Sequence, residues 1–151
     1  MAKVEFDTFP GECPLNFQLL LPMAVMVGLT FLVALRLLSL RAAAVKQGQV
    51  RMSYFRAMQG EAPPETAAAA GRAFSNLFEV PPLFYVACVA VLALGKVDTG
   101  FVLLAWGFVV CRVVQALIHL SYNNVTHRLA AYMAGWLVLL GLWGRLLVLV
   151  A

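Results

Sequence analysis

Long apolar runs alternate with short polar breaks along the chain, and no strand-like alternation of apolar and polar residues competes with them. Four runs stand out, at about 16–40, 77–94, 101–122 and 129–150. Each approaches the roughly 20 residues that a helix needs to cross the hydrocarbon of a bilayer. Charges break the runs singly: Arg36 late in the first, Glu79 early in the second, Arg112 inside the third and Arg145 late in the fourth. Backbone groups in lipid must be satisfied within a helix or a closed barrel, and four segments are too few for a barrel. The pattern predicts an all-α integral membrane protein, a four-transmembrane-helix bundle forming a single domain over 1–151.

The polar breaks predict orientation. The segment at about 41–71 carries Arg41, Lys46, Arg51 and Arg56, with Arg72 just beyond, against Glu61 and Glu65. The N-terminal segment is net acidic, with Lys3 against Glu5, Asp7 and Glu12, and the break between the second and third runs holds Lys96 and Asp98. The positive-inside rule then puts 41–71 in the cytoplasm and both termini on the other side, in an inner membrane if the source is bacterial. Within this loop, "VRMSYFRAMQG" mixes aromatics and methionines with arginines, as suits an interfacial segment. "APPETAAAAG" reads as a helix start, with prolines pre-setting the first turn and Glu65 at its positive end. The second helix is therefore expected to begin well before the bilayer.

Composition agrees: 63% of the 151 residues are hydrophobic and 12% charged, with mean hydropathy +0.88, which points to lipid as solvent. Most of the net charge of +4 is the topology signal. Basic residues strung along a loop without an aromatic platform argue against a nucleic-acid partner. A lone Lys3 before an overlong apolar run argues against a cleaved secretory leader. Cys13, Cys88 and Cys111 share no metal or redox spacing, and the last two read as small buried hydrophobes.

Candidate chemistry gathers at one end of the predicted bundle. Arg72, Asn76 and Glu79 are spaced i, i+4, i+7, on one helical face at the cytoplasmic entrance of the second span. Arg112, Gln115, His119 and Tyr122 follow i, i+3, i+7, i+10 on the third, and His127 and Arg128 open the fourth on the same side. Arg112 lies about eleven residues into its span, roughly 16 Å deep at 1.5 Å per residue. A charge there is costly and should face the bundle with a partner, and Glu79 is the natural one. The pair is read either as part of a site or as a lock between two helices. Pro81 and Pro82 lack amide protons and predict a kink beside Glu79. "NVT" at 124–126 fits a glycosylation sequon on the predicted cytoplasmic side, where it is not modified. His119 and His127 lack partners at metal-ligand spacing, so no metal is expected.

"RAFSNLFEVPP" resembles the signature of the MAPEG family, the membrane-associated proteins of eicosanoid and glutathione metabolism: Arg72, Ala73, Asn76, Glu79 and Pro82 stand at its positions. Arg112, Gln115 and His119, then "NNVTHR" leading to Arg128, are similar to the third-helix pattern of microsomal glutathione transferase members. The resemblance implies a homotrimer with sites between subunits, open to the cytoplasm, that take glutathione as co-substrate. It also implies that Arg72, Asn76 and Glu79 hold the tripeptide's charged ends, with Arg112, Gln115, His119 and Tyr122 around it, and that Arg128 faces the sulfur as the catalytic residue. A lipophilic small-molecule substrate would arrive from the membrane lipids. Phe74, Val80, Gln115 and His119 depart from residues frequent in the enzymes, and Arg36 is a further candidate. Three readings follow: a glutathione-dependent transferase or peroxidase, a non-catalytic lipid- or partner-binding protein of the same fold, and a structural membrane protein.

Overall fold

The computed structural model describes residues 15–57 and 62–151; the acidic N-terminal segment, Cys13, Met58 and Glu61 lie outside them. Six helices follow one another among the described residues: α1 Leu15–Lys46, α2 Tyr54–Ala57, α3 Glu65–Glu79, α4 Pro81–Ala93, α5 Thr99–Leu120 and α6 Val125–Val150. Among the described residues four lengths of helix are long and apolar enough to cross a membrane: α1, α3 with α4, α5 and α6. The expected four-helix membrane fold is therefore present. α1 is longer than its apolar run, because Arg41–Lys46 continues in strong helix formers. At 32 residues it measures roughly 48 Å, well beyond a ~30 Å hydrocarbon layer.

The second span does begin early, at Glu65, but the prolines sit outside the helix: Pro64 is its N-cap, and its carbonyl accepts from the backbone N–H groups of Ala67 and Ala68. The span then breaks at Val80, between α3 and α4. Pro81 and Pro82 have no N–H to give the carbonyls one turn back, so the helix stops and restarts with proline in its first turn.

α5 is the central helix, packed most extensively on α6 and also against α1 and α3. Small residues let α5 and α6 approach: Gly107 lies against Val138, Gly141 against Leu104, and Gly135 against Arg112. The apolar core runs through Leu19, Met26 and Val33 of α1, Ala73 and Leu77 of α3, and Phe84, which stacks on Phe108 at 4.7 Å between centroids. Cys88 is buried in this core. The outward faces remain apolar, as at Phe31, Leu38, Leu103 and Leu147, which suits contact with lipid.

The two ends of the bundle differ. At one, Asp98 caps α5 by accepting from Phe101 N–H at 2.8 Å and forms an ion pair with Arg145, whose Nε lies 3.0 Å away. Lys96 there donates to the carbonyl of Leu149 at 2.6 Å. At the other end Asn124 caps α6, accepting from Thr126 and His127 N–H. Its side chain, the asparagine of the sequon, is thus part of the helix start.

Candidate functional site

At this second end a cavity of about 560 Å³ opens between α3, along most of its length, the end of α5, the start of α6 and the α1–α3 connection. Arg72, Asn76 and Glu79 line it from α3, His119 from α5 and Arg128 from α6. Five of the residues singled out by spacing are therefore brought together. The i, i+4, i+7 face of α3 does this, because its opposite face (Ala70, Ala73 and Leu77) is buried in the bundle.

The arginines are held in a polar chain. Arg72 Nη2 donates to Glu65 Oε1 at 2.6 Å, two turns earlier on α3. Arg128 Nη1 donates to Asn123 Oδ1 at 2.9 Å, and Asn123 Nδ2 reaches the same Glu65 oxygen at 3.5 Å. One carboxylate thereby ties the cations of α3 and α6 through the α5–α6 turn. Asn123 sits there at φ 47°, a left-handed conformation that asparagine tolerates better than most residues.

Two of the candidates lie behind the cavity. Arg112 is 1% exposed and Gln115 5%. With Asn76 and His119 they line a narrow crevice of about 10 Å³. The expected Arg112–Glu79 ion pair is not formed. Arg112 Nη1 donates instead to Gln115 Oε1 at 2.7 Å, and the guanidinium lies 4.9 Å from the Phe108 ring centroid and 5.4 Å from that of Tyr132. Glu79 ends α3 on its exposed side, facing the cavity. The buried charge is therefore accommodated by an amide and two aromatic faces on α5 and α6. Arg112 Nε and Nη2 and both His119 ring nitrogens have no partner among the described residues.

Tyr122 does not line the cavity. α5 ends at Leu120, so the helical face does not extend to position 122, and the exposed Tyr122 hydroxyl bonds His127 Nδ1 at 3.0 Å. Arg36 is exposed and absent from the lining, whereas Arg41 takes part in it. Tyr54 and Phe55 also line the cavity, with the Arg41 guanidinium 5.1 Å from the Phe55 centroid. Spacing within spans missed these three. The helix-forming "RAAAVK" after Leu40 was the available signal, since it carries α1 past the bilayer and brings Arg41 level with α3.

An apolar groove of about 450 Å³ lies between α1 and α3–α4, lined by Val27, Phe31, Phe74, Phe78, Pro82 and Tyr85 among others. It shares the α3 helix with the polar cavity. Four membrane-crossing helices with a polar cavity at one end define a multi-pass membrane protein with a hydrophilic cavity beside an apolar groove. The model of the MAPEG family matches residues 19–148, and the chain belongs to that family of glutathione- and eicosanoid-linked membrane proteins. Neither the curated proteins nor the solved structures compared with the chain match it.

Proposed function

We propose that the cavity binds glutathione and that the protein is a glutathione-dependent transferase or peroxidase acting on lipophilic electrophiles or lipid hydroperoxides. The observation that carries this reading is the convergence of Arg72, Asn76, Glu79, His119 and Arg128, with Arg41, on one cavity of about 560 Å³. That size is within the range of small-molecule sites. Its charges complement the ligand: three guanidinium groups and one carboxylate face a tripeptide that carries two carboxylates, one ammonium and a thiol. Arg128 takes the catalytic role. A guanidinium beside a thiol lowers the thiol's pKa and raises the fraction of nucleophilic thiolate. Arginine keeps its charge throughout the relevant pH range. The electrophile approaches through the apolar groove, and a homotrimer would set these surfaces against a neighbouring subunit.

The test is titration of the detergent-purified protein with glutathione, followed by thiolate ultraviolet absorbance. Saturable binding with thiolate at neutral pH is expected. No binding at millimolar glutathione would sink the proposal and favour the second reading, a non-catalytic lipid-binding protein, for which the 450 Å³ groove is the supporting feature.

A further inference from the structure

His119 belongs to two spaces at once. It lines the wide cavity beside Arg72, Asn76, Glu79 and Arg128, and it lines the narrow crevice beside Arg112 and Gln115. The side chain is 3% exposed, yet neither ring nitrogen has a partner among the described residues. A buried polar atom left in this state is costly, and native interiors satisfy such groups with protein or with ordered water. Arg112 Nε and Nη2 are in the same position. The crevice measures about 10 Å³, the space of roughly one water, and a water needs two to four polar partners. Arg112, His119, Gln115 and Asn76 supply them.

Hydrogen-bond grammar fixes the direction of such a bridge. Arginine donates and never accepts. A water that accepts from both unpartnered Arg112 donors, Nε–H and Nη2–H, has no lone pair left and can only donate to His119, whose nitrogen on that side then accepts. In the neutral imidazole the other nitrogen then carries the hydrogen.

We infer that the crevice is a single-water site bridging Arg112 to His119, and that the bridge fixes the one imidazole tautomer that presents an N–H donor to the sulfur of the ligand in the cavity. This rests on the glutathione reading for its second half and on the crevice geometry alone for its first. Arg112, which the cavity does not reach, then acts on the site as a positioning residue through the water and the ring. Arg128 supplies charge to the sulfur and His119 supplies a directed hydrogen bond. The thiol proton leaves to solvent water in the open cavity, while the proton on His119 stays on its nitrogen.

The experiment uses the whole protein in detergent, labelled with ¹⁵N-histidine. Its two histidines are assigned by loss of one resonance set in His119→Gln. Before ligand is added, His119 is expected to show one neutral tautomer at neutral pH, with its protonated nitrogen shifting when glutathione is added. His119→Gln, which keeps a donor and an acceptor, should retain thiolate within about threefold. His119→Phe should lower the thiolate fraction about tenfold or more, the scale of a hydrogen bond to a charged group. A mixture of tautomers or a doubly protonated ring in the ligand-free protein overturns the water bridge. A His119→Phe protein that keeps its unfolding midpoint and the wild-type thiolate fraction overturns the sulfur contact. Failure of the wild type to bind glutathione overturns the functional reading and the sulfur contact with it, and the tautomer spectrum still decides the bridge.

Discussion

At the scale of the residue, the buried guanidinium of Arg112 sets the tightest constraint. A Cβ built on Gly135 of α6 would lie 2.8 Å from Arg112 Nη2. That guanidinium is boxed in by Phe108, Gln115 and Tyr132, so it has little room to yield. Gly135→Ala should therefore destabilise the bundle by about 1–3 kcal/mol, the range for overpacking a filled interior. A lower unfolding midpoint in detergent is the readout, and an unchanged midpoint would mean that the guanidinium moves aside freely. Arg128 makes the opposite prediction. It is half-buried at the cavity and bonded to Asn123, so Arg128→Ala should fold as the wild type does and lose the thiolate absorbance of bound glutathione. Retained absorbance would remove the catalytic role from this arginine. The sequence showed that Arg112 must be buried and accommodated, but not by what. Counting charges favoured Glu79, because an acid is the visible partner for a base. An amide three residues on and two aromatic rings are ordinary features of an apolar run until the helices are packed.

At the scale of the element, hydropathy located the spans because it reads the bilayer, and it misplaced the ends because helices outlast the bilayer. α1 runs to Lys46 and α6 starts at Val125, each beyond the apolar run expected at 16–40 and 129–150. The break beside Glu79 was legible from Pro81 and Pro82, since missing amide protons act locally. The ends are fixed by caps, and the Asp98 cap yields a pH prediction. The hydrogen bond from Arg145 holds the Asp98 carboxyl below the usual carboxylate range, with smaller contributions from Phe101 N–H and the Arg145 charge. A depressed folded-state pKa stabilises the fold above the unfolded value of about 3.9 and stops doing so as pH falls through the folded value. The unfolding midpoint of the wild type should therefore drop below about pH 4 partly through this group. Asp98→Asn keeps a capping oxygen but has no charge to lose, so its midpoint should be lower near neutrality and flatter through the acid window. Identical acid limbs in the two proteins would mean that the Asp98–Arg145 pair contributes nothing to stability.

At the scale of the whole molecule, the two ends of the bundle differ in charge, and this bears on where the cavity opens. The cavity end carries Arg41, Arg72, His127 and Arg128, with Lys46 at the end of α1 and Arg51 and Arg56 in the α1–α3 connection. The other end has Lys96 and an Asp98–Arg145 pair that neutralises itself. Insertion keeps clustered Lys and Arg in short loops on the cytoplasmic side, so the excess at the cavity end should turn that end inward. Two expectations are linked: a C-terminus after Ala151 outside the cytoplasm, and a cavity that, on the proposed function, would draw its glutathione from the cytoplasm. A reporter that is active only outside the cytoplasm, fused after Ala151, should be active, and a fluorescent protein that matures only in the cytoplasm should stay dark there. The same reporters inserted in the 47–53 loop should give the reverse pattern. If the C-terminal fusion fluoresces, the bundle is inverted and the cavity faces away from the cytoplasmic glutathione pool. A glutathione-binding role would then need a supply of the tripeptide on the far side of the membrane. The opposite outcome leaves the cations, the cavity and the ligand in one compartment.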